Sequence, residues 1–440
     1  MSLRRSPEPL LPGRLLSGWS VVTSGHPAGP AARAGSLLGG LGAAATGSDG
    51  GAETLRLDGG AETLRLRAED GREHLVVLPG WRGEAAVRRQ AGVTAATVRA
   101  GDRRGPGWPV ATTYLALRVA GAALRGIGSG GPASLLEPAG TAAGLVAGLP
   151  EQPPSDVETL RCGDGWVVAR WRDGDDRRLL HAVLRQGGGR IADLPVDHVT
   201  RVARECRLLV GAVRPGPARP PAVRLQSPLR AAGARPGRRG PRTIVDWTPL
   251  WAGPWLCQQL AHGGERVVRV ERPGGPGAAA RFGQGKQSRT LDARTPHGRT
   301  ALAALLRDAD VLVYAYTPRA LAQLGFTKRW FETRAPQLLR LSLTAFDPPD
   351  DGAPGLGEQA AAAAGLLWAG GRRPLAALPW ADPLLGAWGL LVLQACLLTG
   401  VSGGHLQLSL EGAAALASPH IPAADGTRPA AADTGKRVVL

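Results

Sequence analysis

The chain has 440 residues, of which 43% are hydrophobic and 20% charged, and its formal net charge is +17 at pH 7. This length and apolar content allow two or more domains with substantial cores and exclude a wholly disordered chain. The positive charge comes almost entirely from arginines, most of them interleaved with acidic residues, which argues against a nucleic-acid binder and fits a field that attracts a small anionic molecule.

The cysteine and histidine patterns do not indicate a metal site or a disulfide framework. The four cysteines are far apart, without a CxxC pair, at Cys162, Cys206, Cys257 and Cys396. The eight histidines show no HExxH spacing. We therefore expect no metal and a reducing, cytoplasmic environment.

No segment has the pattern of a leader or a membrane span. No sustained apolar run follows Arg4 and Arg5, and glycines and a glutamine interrupt the apolar residues 384–398. We expect neither a signal peptide nor a transmembrane helix.

The N-terminal part of the chain contains a near-adjacent repeat. The sequence Glu-Thr-Leu-Arg-Leu occurs at 53–57 and again at 62–66, and Asp58 and Gly59 lie between the two copies. Alternating apolar residues on both sides of an Asp-Gly pair predict a β-hairpin.

A second region has the order strand, helix, strand. Residues 243–247 form a short β-branched run, Ala252-Gly253-Pro254 opens a helix predicted to end at His262, and residues 267–270 form a second apolar strand. This is a βαβ unit, and the strand ends of such units commonly bind anions.

Seven short motifs in a fixed order carry a family resemblance. They lie at residues 251–254, 267–275, 291–299, 309–314, 317–326, 336–343 and 380–386. Their order and spacing resemble the family III CoA-transferases, a family that includes formyl-CoA and carnitine CoA-transferases and the related α-methylacyl-CoA racemase. The resemblance implies an α/β fold with Rossmann-like parallel-sheet halves.

The same plan is recognisable twice, so we expect two halves fused in tandem with a small α+β domain. The resemblance implies an eroded N-terminal copy of the large domain at 1–145, a small-domain-like segment at 146–215, a linker rich in Pro, Arg and Gly at 216–241, and a second large-domain copy carrying the site at 242–440. Because family members are interlocked dimers, this arrangement implies a pseudo-dimer within one chain, with a homodimer as the alternative.

Asp382 is the predicted nucleophile. In the family an aspartate attacks an acyl-CoA thioester, and the motif at 380–386 places that aspartate at Asp382. The alternative is that Asp382 caps the helix that Pro383 begins, and both roles can coexist. Glu358 is the match to the acidic residue of the transferase branch.

The resemblance also implies binding of coenzyme A (CoA), as substrate or acyl-CoA, without a metal. Arg272 and Lys286 are the predicted contacts to phosphate, for which a guanidinium and an ammonium are suited. A solvated arginine after a strand is the plainer alternative. The predicted contacts along the nucleotide groove are Trp251, Ala252, Ala315 and Tyr316.

Several departures from the family pattern leave other functions open. Gln287 replaces a basic residue of the family pattern, Ala315 replaces an asparagine, and Gln323 lies where an arginine often contacts CoA. The racemase histidine is missing near Leu356 and Gly357, which argues against racemisation because that reaction needs a proton donor and an acceptor. The alternatives are a repurposed acyl-CoA enzyme, racemase-related or in specialised biosynthesis, and a catalytically silent CoA-binding scaffold. The expected partners are an acyl-CoA and a carboxylic acid acceptor, with no nucleic acid or membrane.

Overall fold

A computed structural model describes most of the chain after residue 152. The described ranges are 153–186, 189–218, 221–231, 240–274, 282–374 and 377–418, with strands at 20–24, 44–45, 62–67, 73–78 and 436–439 and isolated positions 34, 36–38, 43, 113, 114, 116, 117, 120 and 124.

The N-terminal strands form a four-stranded sheet of order β2-β1-β3-β4. They are β1 Ser20–Ser24, β2 Ala44–Ala45, β3 Glu62–Arg67 and β4 Glu73–Leu78. Strand β3 pairs antiparallel with β1 on one side and with β4 on the other. The predicted hairpin is therefore wrong, because both edges of β3 are already paired. Its other arm, residues 53–57, lies outside the described residues.

Residues 153–218 build a small unit with its own core. Its antiparallel sheet has the order β5-β6-β7, and two helices pack on it. The elements are β5 Val157–Arg161, β6 Trp166–Arg170, helix α1 Gly174–Gln186, helix α2 Val196–Glu205 and β7 Leu209–Ala212. Val167, Leu180 and Val199 are fully buried in its core.

The main sheet has eight strands in the order β12-β11-β10-β13-β14-β16-β8-β17. The pairings from β12 to β16 are all parallel, and β8 pairs antiparallel with both of its neighbours. The strands are β8 Ala222–Ser227, β10 Thr243–Trp247, β11 Arg266–Glu271, β12 Gln287–Thr290, β13 Val311–Tyr314, β14 Leu339–Thr344, β16 His405–Ser409 and β17 Lys436–Val439, and a separate pair is β9 Arg230–Ala231 with β15 Val401–Ser402. The chain thus has the predicted α/β architecture with a dominant parallel sheet.

The predicted linker at 216–241 contains part of this sheet. Strand β8 lies within it, and its first four residues are buried. Apolar side chains at 222, 223 and 225 pack into the core, whereas the surrounding Pro and Arg residues had indicated a connection without regular structure.

Helices cover the main sheet. They are α3 Ala252–His262, α4 Pro296–Asp308, α5 Pro318–Gln323, α6 Lys328–Arg334, α7 Gly357–Ala363, α8 Ala381–Leu398 and α9 Leu410–Ala415. The first of these joins β10 to the parallel β11, which confirms the predicted βαβ unit.

Helix α8 is long and apolar enough to span a membrane by composition alone, yet 89% of it is buried within the protein. It packs against α3 through two glycines. A Cβ on Gly386 would lie 2.9 Å from the Trp255 ring, and one on Gly389 would lie 2.5 Å from Leu256 Cδ1. The glycines that interrupt its hydrophobic pattern therefore allow close helix packing, as expected of a central core helix.

Strand order reverses between β10 and β13. The chain runs from β10 outward to β11 and β12 and then returns to β13 on the other side of β10. Beyond the carboxyl ends of two such strands a crevice forms, where ligands bind in open α/β sheets. The residues after Trp247 and Tyr314 therefore border the expected site.

Candidate active site

Two adjoining cavities open at the reversal of strand order. The aspartate cavity, of about 210 Å³, includes Asp382 in its wall. The arginine cavity, of about 420 Å³, includes Arg272. Both share Thr248, Pro249 and Tyr316 as walls, so the two cavities adjoin each other, and we refer to them together as the groove.

The aspartate cavity is mainly apolar and contains four of the predicted groove residues. Trp251, Ala252, Ala315 and Tyr316 all line it together with Asp382. They come from the two segments that follow β10 and β13, which explains why residues so far apart in sequence meet here.

Leu250 stands on the wall of the aspartate cavity in a strained conformation. Its φ is 67°, in the left-handed region that few bulky residues adopt, and 49% of the residue is exposed. Backbone strain of this kind concentrates at ligand sites.

Asp382 is the second residue of α8 and is half-buried. Trp380 occupies the N-cap position, and no side chain caps this helix end. The alternative interpretation of Asp382 as the N-cap is therefore wrong, because the helix begins at Ala381, two residues before Pro383. The carboxylate still lies at the positive end of the helix dipole, which favours negative charge there.

Glu358 lies in the first turn of α7 and is fully buried. Its Oε1 accepts a hydrogen bond of 3.0 Å from Nη1 of Arg170, a residue of β6 in the small unit. Its Oε2 is buried and has no hydrogen-bond partner among the residues that the structure describes.

The charge of Glu358 influences the protonation of Asp382. Burial raises the pKa of Asp382 to about 8, the charge of Glu358 adds to the rise, and Arg170 acts in the opposite direction. Burial likewise raises the pKa of Glu358, while a backbone hydrogen bond and Arg170 oppose that rise. Two carboxyls that share one cation can both have raised pKa values, because they compete for the same compensating charge.

Gly357 leaves no room for a side chain beside Asp382. A Cβ at Gly357 would overlap Oδ2 of Asp382 and would lie 3.0 Å from Pro379. The other candidate position for the missing histidine, Leu356, lines the aspartate cavity with an apolar side chain. Neither position provides an acid or base.

Arg272 is exposed after the end of β11, where it lines the arginine cavity with Glu271 and Thr290. Lys286 lies outside the residues that line either cavity. Its side chain is fully buried, and its Nζ donates to Asp246 Oδ2 at 2.7 Å and to the Pro254 carbonyl at 2.6 Å. Arg272 thus lies at the groove, whereas the Lys286 side chain is buried in the interior and is not part of the cavity walls.

A buried charge network supports the groove floor. Asp246 and Arg269 are register partners on β10 and β11, with Oδ2 and Nη1 3.4 Å apart. Asp246 also accepts hydrogen bonds from the backbone and hydroxyl of Thr248. Because Thr248 belongs to both cavities, the network fixes the segment that joins them.

Local sequence patterns indicate these supporting residues only in part. Asp246 and Arg269 interrupt apolar runs on consecutive strands, a pattern that could have indicated a buried pair. Arg170 has no local signal, since its partner Glu358 is 188 positions away.

Among the described residues, no group of three His, Cys, Asp or Glu side chains is arranged to hold a metal ion.

Residues 242–439 match the sequence model of CoA-transferase family III. The formyl-CoA:oxalate CoA-transferase of Afipia carboxidovorans is 33% identical over 120 residues, which cover 24% of this chain and 28% of that protein. The alpha-methylacyl-CoA racemase of Homo sapiens is 33% identical over 104 residues, or 24% of this chain and 27% of that protein. The chain thus matches less than a third of the length of these relatives.

Solved structures resemble part of the chain. A CAIB/BAIF family protein from Brucella suis is 24% identical and aligns with a TM-score of 0.36 over 40% of this chain and 54% of its own. A hypothetical protein from Mycobacterium tuberculosis is 26% identical, with a TM-score of 0.35 over 41% and 57% of the two chains.

Proposed function

Because residues 242–439 belong to CoA-transferase family III, we propose that the protein moves CoA between an acyl-CoA thioester and a carboxylic acid through a covalent intermediate on Asp382. The observation that carries this proposal is the position of Asp382 on an apolar cavity that adjoins a cavity lined by Arg272. A thioester beside Asp382 and phosphates beside Arg272 would match the two ends of one acyl-CoA.

The reaction would proceed by two exchanges at the Asp382 carboxyl. The carboxylate attacks the thioester carbonyl, which forms a mixed anhydride and releases the CoA thiolate. The thiolate then attacks the Asp382 carbonyl, which forms an aspartyl-CoA thioester and releases the first acid. The acceptor carboxylate reverses these two steps, so that a new acyl-CoA leaves and Asp382 is restored. Covalent catalysis of this kind divides one difficult substitution into easier steps.

Negative charge grows on the carbonyl oxygen in each step. The amino-terminal turn of α8, which contains Asp382, carries the positive end of the helix dipole. We propose that this helix end stabilises the oxyanion, a contribution that is often the largest single part of catalysis.

In this proposal Arg272 contacts the phosphates, and Lys286 has a structural role through its buried contacts with Asp246 and Pro254. Arg272 is exposed beside the arginine cavity, whereas both Lys286 contacts are internal. Trp251, Ala252, Ala315 and Tyr316 would line the path of the pantetheine arm.

The chain organisation belongs to the same proposal. Tyr114 of the N-terminal part packs 6.3 Å from Trp255 of α3, measured between ring centroids, and the small unit reaches Glu358 through Arg170. These contacts support a pseudo-dimer within one chain that has one working site, and we propose a cytoplasmic setting for it.

Product analysis by mass spectrometry tests the proposed activity. The wild-type protein and Asp382→Asn would be incubated with a panel of acyl-CoAs and free acids in deuterated water. We expect new acyl-CoA species with the wild type only. Exchange of the α-proton without CoA transfer would instead favour the racemase-related alternative, and CoA binding without either reaction would favour the scaffold.

A further inference from the structure

We propose that Arg170 is a positioning residue that fixes which carboxyl of the Glu358 and Asp382 pair carries the negative charge. The inference rests on the proposed function of Asp382 and adds to it a contribution from the small unit. Arg170 belongs to β6, outside residues 242–439 that match the family model. The charged groups of the site in residues 242–439 would therefore include one residue from outside that range.

The guanidinium of Arg170 is held from two sides. Its Nε donates to Asp156 Oδ2 at 2.8 Å, and its Nη1 donates to Glu358 Oε1 at 3.0 Å. The Arg170 side chain is 30% exposed, whereas the Glu358 side chain is fully buried. A cation held in this way gives the buried carboxylate a fixed partner, without which burial of its charge would be costly.

The small unit docks closely enough on α7 to keep this contact in place. A Cβ on Gly211 of β7 would lie 2.7 Å from Gln359 Cβ, so the two backbones approach each other directly. The backbone N–H of Arg214 donates to the carbonyl of Ala362 at 3.0 Å. The position of Arg170 relative to Glu358 is thus set by backbone packing on both sides.

Four charged groups face each other at this contact. The small unit supplies Arg170 and Asp156, α7 supplies Glu358, and α8 supplies Asp382. Three carboxyls therefore share one cation. Arg170 donates its hydrogen bonds to Asp156 and Glu358. Glu358 therefore retains the negative charge, and Asp382 is the carboxyl that holds a proton.

The negative charge on Glu358 affects the attack by Asp382. Asp382 must be a carboxylate to attack, and in that form the anion of Glu358 repels it. Formation of the anhydride removes the charge of Asp382 and therefore removes the repulsion.

The test follows the ionisation of Asp382 directly. Aspartate carboxyl carbons would be labelled with carbon-13 in the full chain, and the NMR signal that disappears in Asp382→Asn would be titrated from pH 5 to pH 10. We expect Arg170→Gln to lower the midpoint, because Glu358 without its cation takes up the proton and no longer repels the Asp382 carboxylate, a repulsion that acts on Asp382 more strongly than the attraction of Arg170 does. Arg170→Lys should restore most of the difference.

The matched control is Arg177→Gln, which removes an exposed arginine of the same unit that pairs with Glu158 and should leave the midpoint unchanged. Glu358→Gln supplies a second variant should Arg170→Gln fail to fold, and it should lower the midpoint because the repelling anion is gone. An Asp382 midpoint that is unchanged or higher in folded Arg170→Gln, or in Glu358→Gln, would overturn the proposal. This readout needs no turnover, so its failure is distinct from a failure of the transfer reaction itself.

Discussion

Gly357 lies so close to Asp382 that a Cβ on the glycine would overlap Oδ2 of the carboxylate. The first turns of α7 and α8 are therefore in contact at Asp382, the proposed nucleophile. A glycine there permits the approach, and the same approach excludes any acid or base from position 357.

Gly357→Ala should displace the Asp382 carboxylate. We expect transfer activity to fall by about 100-fold, the effect of a shift of roughly 1 Å in a reacting group, together with a loss of about 1–3 kcal/mol of unfolding free energy from overpacking. Activity assays and urea unfolding measure the two effects. Gly352→Ala is the control, since a Cβ there meets nothing within 4 Å. Full activity in Gly357→Ala would contradict the proposed role of Asp382.

Lys286→Met should act on stability before it acts on binding. It removes a buried partner of Asp246, and breaking a buried ion pair costs about 3–5 kcal/mol; we expect the low end because Arg269 still contacts Asp246. Lys328→Met is the control: its side chain is 71% exposed and pairs loosely with Glu332, so the change should be within about 1 kcal/mol. Unchanged urea stability of Lys286→Met with weaker CoA binding would make Lys286 a phosphate ligand instead.

Arg272→Ala should weaken CoA binding. Loss of a hydrogen bond to a charged group costs about 1.5–3 kcal/mol, so we expect the dissociation constant to rise by about tenfold or more. Isothermal titration calorimetry measures it, and the effect should shrink at high salt. Arg307→Ala removes an equal charge from an exposed position on α4 and should leave the constant unchanged. Equal losses in the two variants would indicate a general field rather than a contact.

Asp382 should make the protein less stable as pH rises. Its folded pKa of about 8 is well above the ordinary aspartate value of 3.8, so its protonated form stabilises the fold fully below pH 4 and this contribution is lost as pH rises to about 8. Asp382→Asn should therefore match the wild type at pH 4 and exceed it at pH 9 by a few kcal/mol, because one pKa unit corresponds to about 1.4 kcal/mol. Urea unfolding at several pH values measures the difference. Exposed Asp308→Asn should show no such trend, and a trend shared by both variants would contradict burial of Asp382.

Local patterns predicted much of the C-terminal fold. The run at 243–247 and Ala252-Gly253-Pro254 led to a βαβ unit whose helix begins and ends at the predicted residues. These elements are predictable because their apolar periodicity and their turn residues agree with the final packing.

Contacts between distant segments could not be predicted in the same way. The repeat around Asp58 and Gly59 suggested a hairpin, yet β3 takes β1 and β4 as neighbours. Lys286 has the motif position of a phosphate ligand, but the burial of its side chain against Asp246 depends on how the strands pair. Arg170 joins the site only through docking of the small unit on α7, which no local pattern encodes.

Covalent trapping on Asp382 tests the proposed mechanism most directly. The protein would be incubated with acyl-CoAs, treated with hydroxylamine and digested, and the peptide containing Asp382 examined by mass spectrometry beside that of Asp382→Asn. We predict a hydroxamate on Asp382 in the wild type, formed from the anhydride or the aspartyl-CoA thioester. An unmodified Asp382 under conditions in which the same preparation transfers CoA would contradict the aspartyl mechanism.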